Sequence, residues 1–173
     1  MKKFIIILDG PMGSGKSTIG EQLAPKLKRT ALINEDKIKW FISDFRRSYR
    51  DNAIVSAVLL KMSQEYLKQS ISLIIAQGIS KTHRPIAPFA AMAKKYKARL
   101  LVYHLNAPRE ILLRRIGERQ KFKHVRKPIA KTRILRNLRF WTRDRYAIGR
   151  EFSTDEISAK KIVGEILKDI KKI

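Results

Sequence analysis

The stretch Gly10-Pro11-Met12-Gly13-Ser14-Gly15-Lys16-Ser17-Thr18 decides how this chain is read. It has the form G-x-x-x-x-G-K-S, and it lies between the apolar run Phe4-Ile5-Ile6-Ile7-Leu8 and a helical pattern that begins near Lys16. Strand, glycine-rich turn and helix together define a phosphate-binding loop. Glycines let the backbone turn tightly enough for successive N–H groups to face one concavity. The positive end of the following helix points at the same anion. Lys16 supplies a point charge for the β- and γ-phosphates, and the Ser17 hydroxyl is the expected ligand of Mg²⁺. These nine residues predict a nucleoside-triphosphate site.

Outward from the loop, strands are predicted over 3–9, 30–34, 72–77 and 99–105, with a short irregular candidate over 148–152. Helices are predicted over 16–28, 38–45, 52–69, 85–96, from Pro108 onward, and over 129–145. A last one follows a capping box made by Ser153 and Glu156. Asp51-Asn52 reads as the N-cap of the third helix, whose expected buried positions are Ile54, Val58, Leu59, Met62 and Leu67. Strands alternating with helices predict an α/β protein with a parallel sheet of about five strands and helices on both faces. One domain over residues 1–173 is expected, since no repeat or linker interrupts the pattern.

Formal net charge is +24, from 39 Lys and Arg against 15 Asp and Glu. Residues 106–150 hold 15 basic against 3 acidic side chains, about half of that excess in a quarter of the chain. Such clustering favours a surface that faces anions, although a solvated basic face accounts for part of it. Cysteine is absent, which excludes disulfides and thiolate chemistry and suits a reducing cytoplasm. The apolar start is too short for a signal peptide, and no run is long enough to span a membrane.

A phosphate loop alone leaves many enzyme classes open. No N-K-x-D stretch follows a strand, which argues against a GTPase, and the 72–77 strand ends in Ala76-Gln77 without the acids expected of assembly ATPases. The loop, together with Asn34-Glu35-Asp36-Lys37-Ile38-Lys39 after the second strand, resembles the P-loop kinases related to bacteriophage polynucleotide kinase and the zeta toxins. That resemblance covers roughly residues 3–140. It implies a three-layer P-loop NTPase fold with a basic lid at about 115–130, and ATP and Mg²⁺ as donor and cofactor. Asp36 matches the family's general base on the acceptor hydroxyl. Lys39 stands where the family has an acceptor-binding Arg, which keeps the charge but gives up the two-pronged fork. Ala107-Pro108 followed by Arg115 and Arg119 matches the lid arginines that close over the triphosphate.

The residues support these expectations in their own right. Phosphoryl transfer asks for position and positive charge rather than covalent chemistry. Asp36 is expected at the carboxyl end of a strand beside strand 1, the edge where open α/β sheets bind ligands, and also as a helix N-cap. Arg46, Arg47 and Arg50 suggest an anionic acceptor or an exposed, solvated turn. Gln77 stands where an acid often holds magnesium's water shell. Asp9 is read as a brace of the loop and His104 as structural, while His83 and His124 are undecided. Phe122, Trp141 and Tyr146 among the arginines are either core or base-stacking groups. Two readings follow: a Mg²⁺-dependent ATP kinase acting on a small hydroxyl compound, a nucleotide or a polynucleotide 5′ end, or a nucleic-acid-binding protein with a regulatory or degenerate ATP site.

Overall fold

The computed structural model describes residues 2–78, 86–120, 129–143 and 148–172. His83, Pro85, Phe122, His124, Pro128, Tyr146 and residues 121–128 of the expected lid lie outside the described residues. Among those described, β1 (Phe4–Asp9), β2 (Thr30–Asn34), β3 (Ser72–Ala76), β4 (Arg99–Asn106) and β5 (Arg150–Ser153) form one parallel sheet in the order β2-β3-β1-β4-β5. The helices are α1 (Lys16–Leu23), α2 (Glu35–Lys39), α3 (Tyr49–Lys68), α4 (Ala87–Lys95), α5 (Arg109–Gln120), α6 (Lys131–Arg143) and α7 (Ala159–Lys171). This is the α/β architecture that the alternating pattern predicts.

β1 is buried at every position because both faces of a central parallel strand are covered. Alternation then sorts its side chains. Ile5 and Ile7 join Val55 and Leu59 of α3 and Phe89 and Met92 of α4 in one core. Phe4, Ile6 and Leu8 join Ile19 and Leu23 of α1 and Ile162 and Ile166 of α7 in the other. A third, smaller cluster of Leu112, Ile116, Ile134 and Leu138 holds α5 to α6, with Met12 of the phosphate loop against it.

Several local expectations need correction. β2 is not beside β1: it pairs with β3, which lies between them. The reason is burial, since all five β3 residues are buried whereas β2 buries only Ile33, so β2 takes the edge. α1 stops at Leu23 because Pro25 enters a 3-10 turn over Ala24–Lys26, and Leu27 reaches the core from extended backbone. The helix expected over 38–45 is the short α2 followed by turns that leave Phe41 77 % exposed and bury Phe45.

α3 is capped by Ser48, whose Oγ accepts from Asp51 N–H at 3.0 Å. Its buried stripe is Val55, Leu59, Ser63 and Leu67, so Ile54 and Val58 sit on the solvent side. Ser63 is tolerated there because its hydroxyl donates to the Leu59 carbonyl at 2.8 Å. Ser153 ends β5 and its carbonyl accepts from Glu156 and Ile157 in a turn, so the cap of α7 is Ser158, which accepts from Lys161 N–H at 3.3 Å.

Candidate functional site

The loop between β1 and α1 closes as the glycines require. Gly10 has φ of +150°, and a Cβ there would stand 2.2 Å from the Leu105 carbonyl oxygen of β4. Gly13 has φ of +81°, and a Cβ would meet the Leu112 carbonyl at 3.0 Å. The loop is therefore packed against β4 and α5 so closely that side chains at these points are excluded. Gly15 sits at the N-cap of α1 in the left-handed region with no side-chain cap, which leaves the first-turn N–H groups facing outward for an anion.

Lys16 folds back over the loop. Its Nζ donates to the carbonyls of Gly10 at 2.8 Å and Pro11 at 2.7 Å, with Ser14 Oγ at 3.5 Å. Burial lowers its pKa to about 8, with Arg119 and Lys39 adding to the fall and Asp36 and Asp9 opposing it. Thr18 is exposed on the outer side of the same turn.

Ser17 and Asp36 meet through Asn34, which the sequence reading passes over. Asn34 Nδ2 donates to Ser17 Oγ at 3.0 Å, and Asn34 Oδ1 accepts from Asp36 N–H at 2.9 Å. The signal available for it is local: Asn two residues before an N–H donor makes an Asx turn and caps α2. Asp36 Oδ1 accepts from Lys39 Nζ at 2.8 Å, and the same ammonium lies 3.3 Å from the buried Glu35. Partial loss of hydration pushes the Asp36 pKa up, but Lys39, then Lys16 and Arg119, outweigh it and hold the carboxyl below its ordinary value. The carboxylate keeps 55 % of its surface open, so it is charged and reachable.

The two matched arginines part company. Arg115 is half-buried and engaged, donating to Thr154 Oγ1 at 2.9 Å, the Thr154 carbonyl at 2.8 Å and the Gly13 carbonyl at 3.4 Å. It ties α5, the turn after β5 and the phosphate loop together. Arg119 is exposed near the end of α5, within electrostatic reach of both Lys16 and Asp36. Arg46 faces solvent at 80 % exposure beside Asp44, while Arg47 lies 5.8 Å over the Trp40 ring.

β1 ends in a buried pair. His104 Nδ1 lies 2.8 Å from Asp9 Oδ2, and Nε2 lies 2.7 Å from the Ile148 carbonyl. Two oxygen acceptors on one ring call for two N–H groups, hence the imidazolium. The hydrogen bond His104 donates to Asp9 raises the His104 pKa, with burial opposing. Gln77, at the end of β3, is buried and its N–H donates to the Leu8 carbonyl at 3.3 Å.

α6 crosses above the loop. Asn137 Oδ1 accepts from Met12 N–H at 3.1 Å, a contact set by tertiary docking that no local pattern announces. Trp141 is half-buried and packs on Gly78, where a Cβ would stand 3.2 Å from its ring. A cavity of about 250 Å³ lies under this helix, lined by Gly10, Pro11, His104, Arg109, Leu138 and Trp141 among others. Gly13 to Thr18 do not line it, so it adjoins the phosphate loop without being the place where the loop amides hold phosphate. No described helix is long and apolar enough to cross a membrane.

A family profile described as an AAA domain, AAA_33, matches residues 5–140. A sequence search of curated proteins gives no match. Among solved structures, the chain is similar to a protein assigned as a kinase from Chloroflexus aurantiacus, with TM-score 0.77 and 19 % identity over 99 % of this chain and 97 % of that one. It is similar to the Mycobacterium tuberculosis APS kinase CysC in complex with AMPPNP and APS, with TM-score 0.69 and 14 % identity over 98 % of each chain. It also matches a chain of the Pnkp1/Rnl/Hen1 RNA repair complex, with TM-score 0.66 and 19 % identity over 82 % of this chain and 44 % of that one. At such identities the likeness is one of fold: a P-loop kinase architecture.

Proposed function

The chain belongs to the AAA domain family, and from that premise we propose that it is an ATP-dependent phosphotransferase that moves the γ-phosphate to a hydroxyl acceptor: a small molecule, a nucleotide or a polynucleotide 5′ end. The observation that carries this reading is that the exposed Asp36 carboxylate lies beside the phosphate-loop lysine and Arg119, close enough for both cations to lower its pKa.

In this reading the amides of Gly13 to Thr18 and the Lys16 ammonium hold the phosphates, and Arg119 takes the charge that builds on the transferring group. Arg115 keeps the loop and the turn after β5 in register. In this reading Lys39, Arg46 and Arg47 are the cations assigned to the acceptor. The Asp36 carboxylate accepts the acceptor's hydroxyl proton as the new O–P bond forms and the bond to the β–γ bridging oxygen breaks, releasing ADP. Ser17 Oγ fits Mg²⁺: it is a hard oxygen donor with a lone pair to spare, and no described cluster of three His, Cys, Asp or Glu offers an all-protein cage. Magnesium, when bound, neutralises charge on the β- and γ-phosphates. The absence of cysteine suits a cytoplasmic enzyme.

Labelled ATP offered with a panel of nucleosides, sugars, phosphorylated alcohols and 5′-hydroxyl oligonucleotides tests the reading; label must move to at least one acceptor and depend on Asp36. The neutral Gln77 favours a second reading, a nucleic-acid-binding protein with a degenerate ATP site. It is distinguished by oligonucleotide binding that survives Lys16→Met without phosphate transfer.

A further inference from the structure

We propose that Asn34 is a positioning residue that locks the metal-binding hydroxyl of Ser17 to the base-bearing turn at Asp36; this rests on the phosphotransferase reading above. Asn34 ends β2, Ser17 lies in the first turn of α1, and β3 separates β2 from the strand that feeds the phosphate loop. One amide group spans that gap, donating to Ser17 Oγ at 3.0 Å and accepting from Asp36 N–H at 2.9 Å.

The two bonds settle which way the amide faces. Asp36 N–H is a donor, so the carbonyl end of Asn34 must meet it, and the NH₂ end must then meet Ser17. Ser17 Oγ thus receives a hydrogen on one lone pair, keeps the other for a cation, and turns its own hydrogen away from Asn34. A merely capping Asn34 would need only the bond to Asp36 N–H, and serine serves that need as well. The bond to Ser17 has no part in capping. Its consequence is that the metal ligand and the base are held at a fixed separation by a side chain that touches no reacting atom. Partners of metal ligands that act in this way matter about tenfold to a hundredfold in metal affinity.

The test compares Asn34→Ser, which keeps a cap but is too short to reach Ser17, with Asn34→Ala and the unmodified protein. A fluorescent ATP analogue is titrated in EDTA and then at rising Mg²⁺, with circular dichroism to confirm folding. In EDTA all three are expected to bind within about twofold of one another, because the loop amides and Lys16 are intact. With Mg²⁺ the unmodified protein gains affinity, and both variants are expected to need about tenfold more Mg²⁺ for half of that gain. An Asn34→Ser protein with unmodified Mg²⁺ dependence assigns Asn34 to capping alone and overturns the proposal. An unmodified protein whose nucleotide affinity ignores Mg²⁺ overturns the phosphotransferase reading and this proposal together.

Discussion

Lys16 is the residue on which the donor side turns, and its surroundings make it titrate near neutrality. Its pKa is lowered to about 8, first by burial. Bound phosphate favours the ammonium, so nucleotide affinity is fullest where the lysine is already charged, below pH 8. Titrating a fluorescent ATP analogue from about pH 6.5 to about pH 9.5 is expected to show a plateau and then a loss of up to about tenfold per pH unit. Lys16→Arg is expected to abolish that break, and Lys16→Met to weaken binding by about tenfold to a hundredfold at pH 7. Asp36→Asn should leave ATP affinity within about threefold while slowing transfer at least about a hundredfold, seen as a fall in kcat at unchanged KM for ATP. Lys16 and Ser17 stand out in the sequence as candidates because they belong to a local phosphate-loop pattern, and Asp36 because the family resemblance implies it. Asn137 does not, because its acceptor meets Met12 N–H only through docking of elements 125 residues apart.

Among the elements, the clearest lesson concerns helix faces. Periodicity located α3, yet it assigned Ile54 and Val58 to the core and passed over Ser63, because the sheet below decides which of two adjacent stripes is buried. β1 to β4 were legible almost to the residue, since each is an apolar run bounded by Gly, Asn or charged residues, whereas β5, Arg150–Ser153, has one apolar residue and showed only as an irregular candidate; the strand order was not legible, because pairing depends on which run is buried deepest. The ends of β1, β4 and β5 carry a further prediction through the His104 pair. A raised folded-state pKa contributes stability that is complete below the unfolded value of 6.5 and is lost as pH rises through the folded one. Thermal midpoints are therefore expected to fall between about pH 6 and about pH 9, and His104→Asn to flatten that slope. α6 is held by a small cluster, so Leu138→Ala should speed amide exchange in α6 well before it affects β1.

For the whole molecule, net charge outweighs any one contact. At +24 the protein attracts polyanions whatever its acceptor. Binding to a single-stranded oligonucleotide is expected to weaken by at least about tenfold between about 50 mM and about 200 mM salt, by fluorescence anisotropy. The same field opposes self-association, and it draws small anions as well as polyanions to the surface. Charge asymmetry was visible in the sequence; how it is divided was not, because Arg115 braces the scaffold while Arg119, one turn away, is exposed within electrostatic reach of Lys16.

The place of β2 at the sheet's edge has an evolutionary meaning. Loop, lysine and central strands are committed to the core, where almost any substitution costs stability. Asp36 follows an edge strand that buries only Ile33. In the proposed phosphotransferase, a lineage can therefore trade one acceptor for another by drift at this margin while the phosphate loop stays as it was inherited.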